Sequence, residues 1–425
     1  MKNIDDLFPI KMEPACKLKW AWSTIHLYNG TTSSCHRCKL YPIEIENFNF
    51  HNTPEKLSQR KTMLSGEWPI GIGCEFCKNI EDSGGVSDRI FQKKIPGYPI
   101  ELVDSSTEMS VTPSTIEVYF DNKCNLSCVY CIPKFSSKIQ AEVNKYGDFP
   151  IKTMHRSYNK VTAKTMDIFP KCDKHSEYDI IKQKFWSWMK ENSHKLLRFH
   201  ILGGEPFFQN DINDIISFFD NHPRNNLELN IISNLTINPK IFSTYINQFK
   251  QLFNDNKIKR LDITCSIDCW GIEQEYVRYG INLKWFEQNM QYMLNQNDWL
   301  RININQTINV LTIKSIPLLM DKINQWKTQK NIAQYMGFIT YWDFLHPRIF
   351  DYEFWKPSFD ETKEIMMADN WDDKQSIDIL DGIVRFLQKN ALDDKNHQEN
   401  MKLYLDELDR RRGTDWRATF PYLDI

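Results

Sequence analysis

Runs in which β-branched and aromatic residues alternate with polar ones recur through the middle of the chain. Between them lie segments whose apolar residues return every three or four positions. The first pattern predicts strands and the second amphipathic helices. STIEVYFD (Ser114–Asp121), LRFHIL (Leu197–Leu202), LELNIIS (Leu227–Ser233) and IKRLDITCSI (Ile258–Ile267) read as strands. RININQTINVL (Arg301–Leu311) and YMGFITYW (Tyr335–Trp342) read the same way. Helices are predicted around Tyr178–Asn192, Ile212–Asp220, Pro239–Phe253, Trp285–Asn295 and Ile316–Thr328. Such alternation implies an α/β fold with a parallel sheet and right-handed crossovers. Six strands are too few for an eight-fold barrel, so an open, partial barrel is expected, with its chemistry at the C-terminal strand ends. Beyond it, DDKQSIDILDGIVRFLQKN and QENMKLYLDELDRRR predict a helical tail packed on the barrel.

Composition narrows the class. Lys and Arg total 53 against 55 Asp and Glu, so no global basic field favours nucleic acid. The apolar runs fall short of a membrane span. MKNIDDLFPIKMEPAC is too acidic and too interrupted by Pro to act as a signal peptide, and a cytoplasmic chain is expected. Eleven cysteines in a reducing compartment then suggest metal or redox chemistry rather than disulfides.

Three of these cysteines, Cys124, Cys128 and Cys131, stand as CxxxCxxC in DNKCNLSCVYCIPK, just after the first predicted strand. This triple spacing arises by chance on the order of 0.01 times per chain. Polar or glycine-rich elements follow the next strands: GGEP (Gly203–Pro206), SNLT (Ser233–Thr236), SIDCWG (Ser266–Gly271) and NVLT (Asn309–Thr312). They all fall on one rim of the expected sheet, an agreement across levels that a random αβ sequence lacks.

CxxxCxxC after a first strand, Tyr130 before its last cysteine, and GGEP after a second strand together resemble the radical S-adenosylmethionine (SAM) superfamily, over roughly Ser114 to Trp342. The resemblance implies a partial (β/α)6 TIM-like barrel. It also implies that Cys124, Cys128 and Cys131 bind three irons of a 4Fe–4S cluster, whose open iron is chelated by SAM. Reductive cleavage of SAM then gives a 5′-deoxyadenosyl radical that abstracts a hydrogen atom from the substrate. The remaining motifs acquire expected roles. Gly203 and Gly204 let the backbone pass close to the methionine moiety, and Glu205 accepts from its amino group. Ser233 and Asn234 meet the ribose hydroxyls, with an ordinary Asx-turn as the competing reading. Ser266 and Arg278 hold the carboxylate. Tyr130 and the backbone around Val310 (Asn309–Leu311) contact adenine. Asp268 faces either the substrate or solvent.

The first hundred residues carry a second cysteine set. Thirteen residues separate Cys16 from Gly30 and four more separate Gly30 from Cys35; Cys74 and Cys77 follow as CEFC. This arrangement resembles a twitch domain, the abbreviated half of a SPASM domain, here placed before the barrel rather than after it. It implies an auxiliary 4Fe–4S cluster on Cys16, Cys35, Cys74 and Cys77. CHRC (Cys35 to Cys38) with CEFC also fits a four-cysteine zinc ribbon, and Cys38 is surplus to the first scheme. Cys172, Cys265 and Cys269 are expected in the core, one of them available to return a hydrogen atom to a radical.

Three domains follow: 1–105 for the auxiliary cluster, with a hairpin around Asn29–Gly30; 106–345 for the barrel; and 346–425 for the helical extension. The long polar stretch Ile132–His175 is expected to cover the substrate. The functional expectation is a radical SAM oxidoreductase or peptide-modifying enzyme. It would take electrons from a reductant such as flavodoxin or ferredoxin and act on a peptide or small molecule by oxidation, epimerisation or cross-linking. An RNA modifier using HRSYNKVTAKTMDIFPK (His155–Lys171) and a non-catalytic metal scaffold are the alternatives.

Overall fold

The computed structural model describes residues 14–82, 87–93, 110–151, 172–340, 342–368, 374–391 and 394–423. Its strands are β1 (Trp22–His26), β2 (Thr31–Ser33), β3 (Tyr41–Pro42), β4 (Thr115–Tyr119), β5 (Ser127–Cys128) and β6 (Arg198–Leu202). They continue with β7 (Arg224–Ser233), β8 (Ile258–Ser266), β9 (Arg278–Tyr279), β10 (Leu300–Ile308) and β11 (Ile332–Phe338). Nine form one sheet in the order β11–β10–β8–β7–β6–β4–β1–β2–β3, and β5 pairs with β9 separately. From β4 to β11 the six sheet strands anticipated from the alternation run parallel.

Period-2 alternation explains why these segments are strands and which way they face. Ile116, Val118, Phe199, Ile201, Leu229, Ile231, Leu261 and Ile263 are almost wholly buried. They pack with the apolar stripes of the crossover helices, such as Ile181, Phe185 and Met189 on Tyr178–Asn192, and Phe242, Ile246 and Phe249 on Pro239–Asn254. Each such side chain contributes roughly 1.5–3 kcal/mol of burial free energy. Local chemistry starts the helices: the Asn238 carboxamide oxygen accepts from Lys240 N (3.0 Å) ahead of Pro239, and Asn282 accepts from Trp285 N (2.9 Å). The intervening strand positions are polar, among them Glu117, His200, Asn230, Thr264 and Asn303.

The structure adds a feature that the pattern did not supply. WSTIH of the N-terminal segment pairs in parallel with β4, from Trp22↔Thr115 to His26↔Tyr119, as a seventh parallel strand. The hairpin around Asn29–Gly30 is present as β1–β2, with Gly30 at φ +66°. Hence the segment bearing the first cysteines is hydrogen-bonded to the strand that leads into CxxxCxxC.

The tail forms helices Tyr352–Ala368, Lys374–Asn390 and Lys395–Arg412, the last capped by Asp394 and closed by Gly413 in the left-handed region. That last helix straps the cysteine loop. Tyr404 Oη donates to Val129 O (2.5 Å), Arg411 Nη2 to Gly147 O and Asp148 O (both 2.9 Å), and Arg412 pairs with Glu142 (3.0 Å). Removing the buried phenol hydroxyl in Tyr404→Phe should cost about 1–2 kcal/mol, since Val129 O then lacks its partner. A thermal melt measures this; an unchanged midpoint would mean the strap is not held there. No helix among the described residues is long and apolar enough to cross a membrane. Residues 152–171, which include the proposed RNA footprint and much of the expected cover, lie outside the described residues. The described start of that cover contains the helix Ser137–Tyr146.

Candidate active site

The loop after β4 is built to hold its own shape. Ser137 N donates to Asn122 O (2.8 Å), Asn122 Nδ2 to Pro133 O (3.0 Å), and Ser136 Oγ to Leu126 O (2.9 Å). These bonds close the segment on itself at the C-terminal end of β4. Cys124 and Cys128 are buried and Cys131 half-buried, and all three are free. Burial pushes the Cys124 thiol up to about 12, with Cys128 beside it adding to the effect. Burial also raises Cys128 and Cys131; for Cys131, the other two sulfurs contribute next. Joint ionisation of Cys124, Cys128 and Cys131 is opposed by burial and by their mutual repulsion unless a cation takes the place of their protons.

The loop after β6 is pressed onto this one. Glu205 N donates to Lys123 O (2.9 Å). A Cβ on Gly203 (φ +99°) would stand 2.5 Å from Asp121 O, and one on Gly204 (φ +46°) 2.0 Å from Lys123 O. Glycine is therefore required here by the neighbouring backbone of the cysteine loop. Gln209 Nε2 reaches the carbonyls of Asp121, Lys123 and Gly203 and ties the two loops together.

Glu205 itself is buried. Its Oε1 accepts from Ser233 Oγ (2.7 Å) and Phe207 N (3.2 Å), and its Oε2 from Asn234 N (2.7 Å). Ser233 and Asn234, expected at a ribose, are thus bonded to Glu205, and Asn234 Oδ1 also forms an Asx-type contact with Thr236 N (2.8 Å). Burial pushes the Glu205 carboxyl up to about 7, partly offset by Asn234 N, Ser233 Oγ and Phe207 N. The native state then holds a proton that the unfolded chain releases near the ordinary carboxyl value, so this residue's contribution to stability falls as pH rises from about 4.5 to 7. Glu205→Gln has no such titration. Relative to wild type, the cluster-free variant should gain about 3 kcal/mol across that window, read from urea melts. A gap independent of pH would contradict the shift.

A third loop brings Asp268, and β9 brings Arg278. Arg278 forks onto Asp268 (Nε–Oδ2 2.8 Å, Nη2–Oδ1 2.9 Å), Tyr130 Oη donates to Oδ2 (2.6 Å), and Thr307 N to Oδ1 (2.9 Å). Asp268 is fully buried, so it faces neither solvent nor an open substrate space. Its negative charge and the desolvation of the guanidinium oppose one another, and Arg278 remains a cation. β5 and β9 set Cys128 opposite Arg278. Ser266 is half-buried at the end of β8, in register with Asn305. Val310 is buried and its N–H is committed to Leu345 O (2.9 Å). Trp342 Nε1 donates to Tyr130 O (3.0 Å).

The structure therefore brings Cys124, Cys128, Cys131, Tyr130, Glu205, Ser233, Asn234 and Arg278 to one rim. Asp268 as an organiser, Gln209, Trp342 and Tyr404 escaped the sequence reading; none carries a local signature. In the N-terminal region Cys16, Cys38 and Cys74 are buried in one cluster with half-buried Cys35 against it. Among the described residues no group of three or more His, Cys, Asp or Glu side chains is arranged as ligands of a single metal ion. Cys265 and Cys269 are buried and Cys172 half-buried.

No family model and no curated protein matches the chain. Among solved structures, SuiB from Streptococcus suis bound to S-adenosylmethionine aligns at 13% identity with a TM-score of 0.37, covering 81% of this chain and 69% of that one. TYW1 with a lysine-pyruvate adduct bound aligns at 12% and 0.29, covering 57% and 69%. Coproporphyrinogen III oxidase (HemN) from Escherichia coli, a radical SAM enzyme, aligns at 12% and 0.29, covering 60% and 56%.

Proposed function

We propose that this chain is a radical SAM enzyme whose Cys124, Cys128 and Cys131 hold a 4Fe–4S cluster. The observation that carries the reading is the meeting of these three free thiols with the Glu205 loop, at the C-terminal ends of β4 and β6. Three thiolates fit a cluster with one iron left for an exogenous ligand, and the buried sulfurs fit a group that keeps them deprotonated. When bound, the cluster and SAM supply one-electron cleavage of the sulfonium and a 5′-deoxyadenosyl radical that abstracts hydrogen from the substrate. The protein's share is binding and orientation. Glu205, with Ser233 and Asn234 on its oxygens, offers a carboxylate for the SAM amine. Arg278, already forked onto Asp268, lies beside Cys128 and offers the SAM carboxylate only the guanidinium edge left over from that pair, while Gly203 and Gly204 keep the two loops in contact.

The substrate in this reading is a peptide or a small molecule, the electron donor a small reductant such as flavodoxin or ferredoxin, and the setting the cytoplasm. The N-terminal cysteines hold an auxiliary metal centre. The test is electron paramagnetic resonance of the anaerobically reconstituted, dithionite-reduced protein with and without SAM. A reduced-cluster signal that changes on adding SAM is expected, and a signal indifferent to SAM would refute an open iron.

A further inference from the structure

In the N-terminal region a lysine is buried where no carboxylate among the described residues answers it. Lys19 is 2% exposed, and its Nζ donates to Cys38 Sγ (3.1 Å) and Gln59 Oε1 (2.6 Å). Among the described residues neither Lys19 nor the fully buried Lys56 forms an ion pair with Asp or Glu. Lys56 instead donates to Ser23 Oγ (3.0 Å), Thr32 Oγ1 (2.8 Å) and Phe50 O (2.5 Å). Arg60 Nε donates to Lys19 O (2.8 Å), which fixes the lysine's backbone. One helix, Pro54–Leu64, supplies Lys56, Gln59 and Arg60 to this spot. A buried ammonium without a counter-ion is costly, so the site is complementary to an anion that the carboxylates do not provide.

The sulfurs are the available anions. Cys38 Sγ lies 3.5 Å from Cys35 Sγ, and Cys16 and Cys74 belong to the same buried cluster. The two cysteine segments are clamped together: Lys39 N donates to Ile72 O (2.7 Å), and a Cβ on Gly73 (φ +98°) would stand 2.2 Å from Arg37 O. Cys77 is half-buried and stands outside that apolar cluster, although its charge still reaches Cys16.

We propose that Cys16, Cys35, Cys38 and Cys74 are the ligands of the auxiliary centre, that Cys77 is not one of them, and that Lys19 is the centre's built-in counter-ion. This rests on the reading of an auxiliary metal centre given above and replaces the spacing-based ligand set. Four thiolates around a 4Fe–4S cluster, or drawn together around zinc from positions that do not form a single-ion ligand set in this structure, share the same chemistry, a net negative metal–thiolate group. An ammonium hydrogen-bonded to one sulfur stabilises either.

The experiment is metal analysis of the full chain after anaerobic reconstitution, with circular dichroism as the folding control. Wild type should carry about eight irons per chain, or about four irons and one zinc, which distinguishes the two centres. Cys77→Ala should keep that content. Cys38→Ala should fall to the roughly four irons of the three-cysteine site, whose retention shows that the barrel is intact. Lys19→Met should keep its metal but release it to a chelator about tenfold faster, with Lys19→Arg restoring the slower rate. Loss of the centre in Cys77→Ala, or its retention in Cys38→Ala, overturns the ligand set. Release from Lys19→Met at the wild-type rate overturns the counter-ion. A wild-type chain with only about four irons and no zinc removes the auxiliary centre itself, an outcome separate from either.

Discussion

Asp268→Ala should destabilise the protein by about 3–5 kcal/mol, seen as a lower urea midpoint. The carboxylate is wholly buried and accepts from Arg278 twice, from Tyr130 Oη and from Thr307 N. Its removal strands a guanidinium with an 8% exposed side chain and leaves two further donors without their acceptor. The cost is that of an uncompensated buried charge, which is larger than the net worth of the pair. The double variant Asp268→Ala with Arg278→Met should therefore recover part of the loss, a coupling that a double-mutant cycle measures. A single-variant loss below about 1 kcal/mol would mean that the cation finds another partner or water. Since Cys128 stands opposite Arg278 across β5 and β9, the same variant should also bind iron less well.

Cys128→Ala should behave in the opposite way: chemistry lost, fold kept. Its backbone pairing with Arg278 is unaffected by the side chain, and a buried thiol replaced by a methyl group costs only about 1 kcal/mol of packing. In the proposed site three thiolates hold the cluster and two would not, so reconstituted iron should drop by about four per chain. Metal analysis beside a thermal melt checks both halves. Unchanged iron would show that Cys128 is a core residue rather than a ligand. Unfolding without iron loss would assign it to packing.

How much of this was legible in the sequence depends on how local each signal is. The six parallel strands from β4 to β11 were readable because alternation is a property of a few neighbouring residues. Their ends were less so: Tyr335–Trp342 was expected, whereas the strand runs Ile332–Phe338, set by pairing with Ile302–Ile308. β1 was missed as a sheet member because its partner lies some ninety residues away and only pairing reveals it. The cysteine triple and GGEP were visible as compact motifs, and the structure sets their loops against each other. Tyr404, which bonds Val129 across 275 residues, has no spacing to announce it. Asp268 reads as an ordinary loop acid until Arg278 and Tyr130 converge on it. Lys19 is the clearest case. In LKWAW it is one more lysine beside a tryptophan, and only its burial against Cys38 gives it a role.

The most direct test of the central claim is the product of SAM cleavage. Anaerobically reconstituted wild-type protein, reduced with dithionite and given SAM, should release 5′-deoxyadenosine detectable by liquid chromatography and mass spectrometry, and Cys128→Ala should release none. Iron-loaded wild-type protein that yields no 5′-deoxyadenosine, or a Cys128→Ala variant that yields as much as wild type, would contradict it.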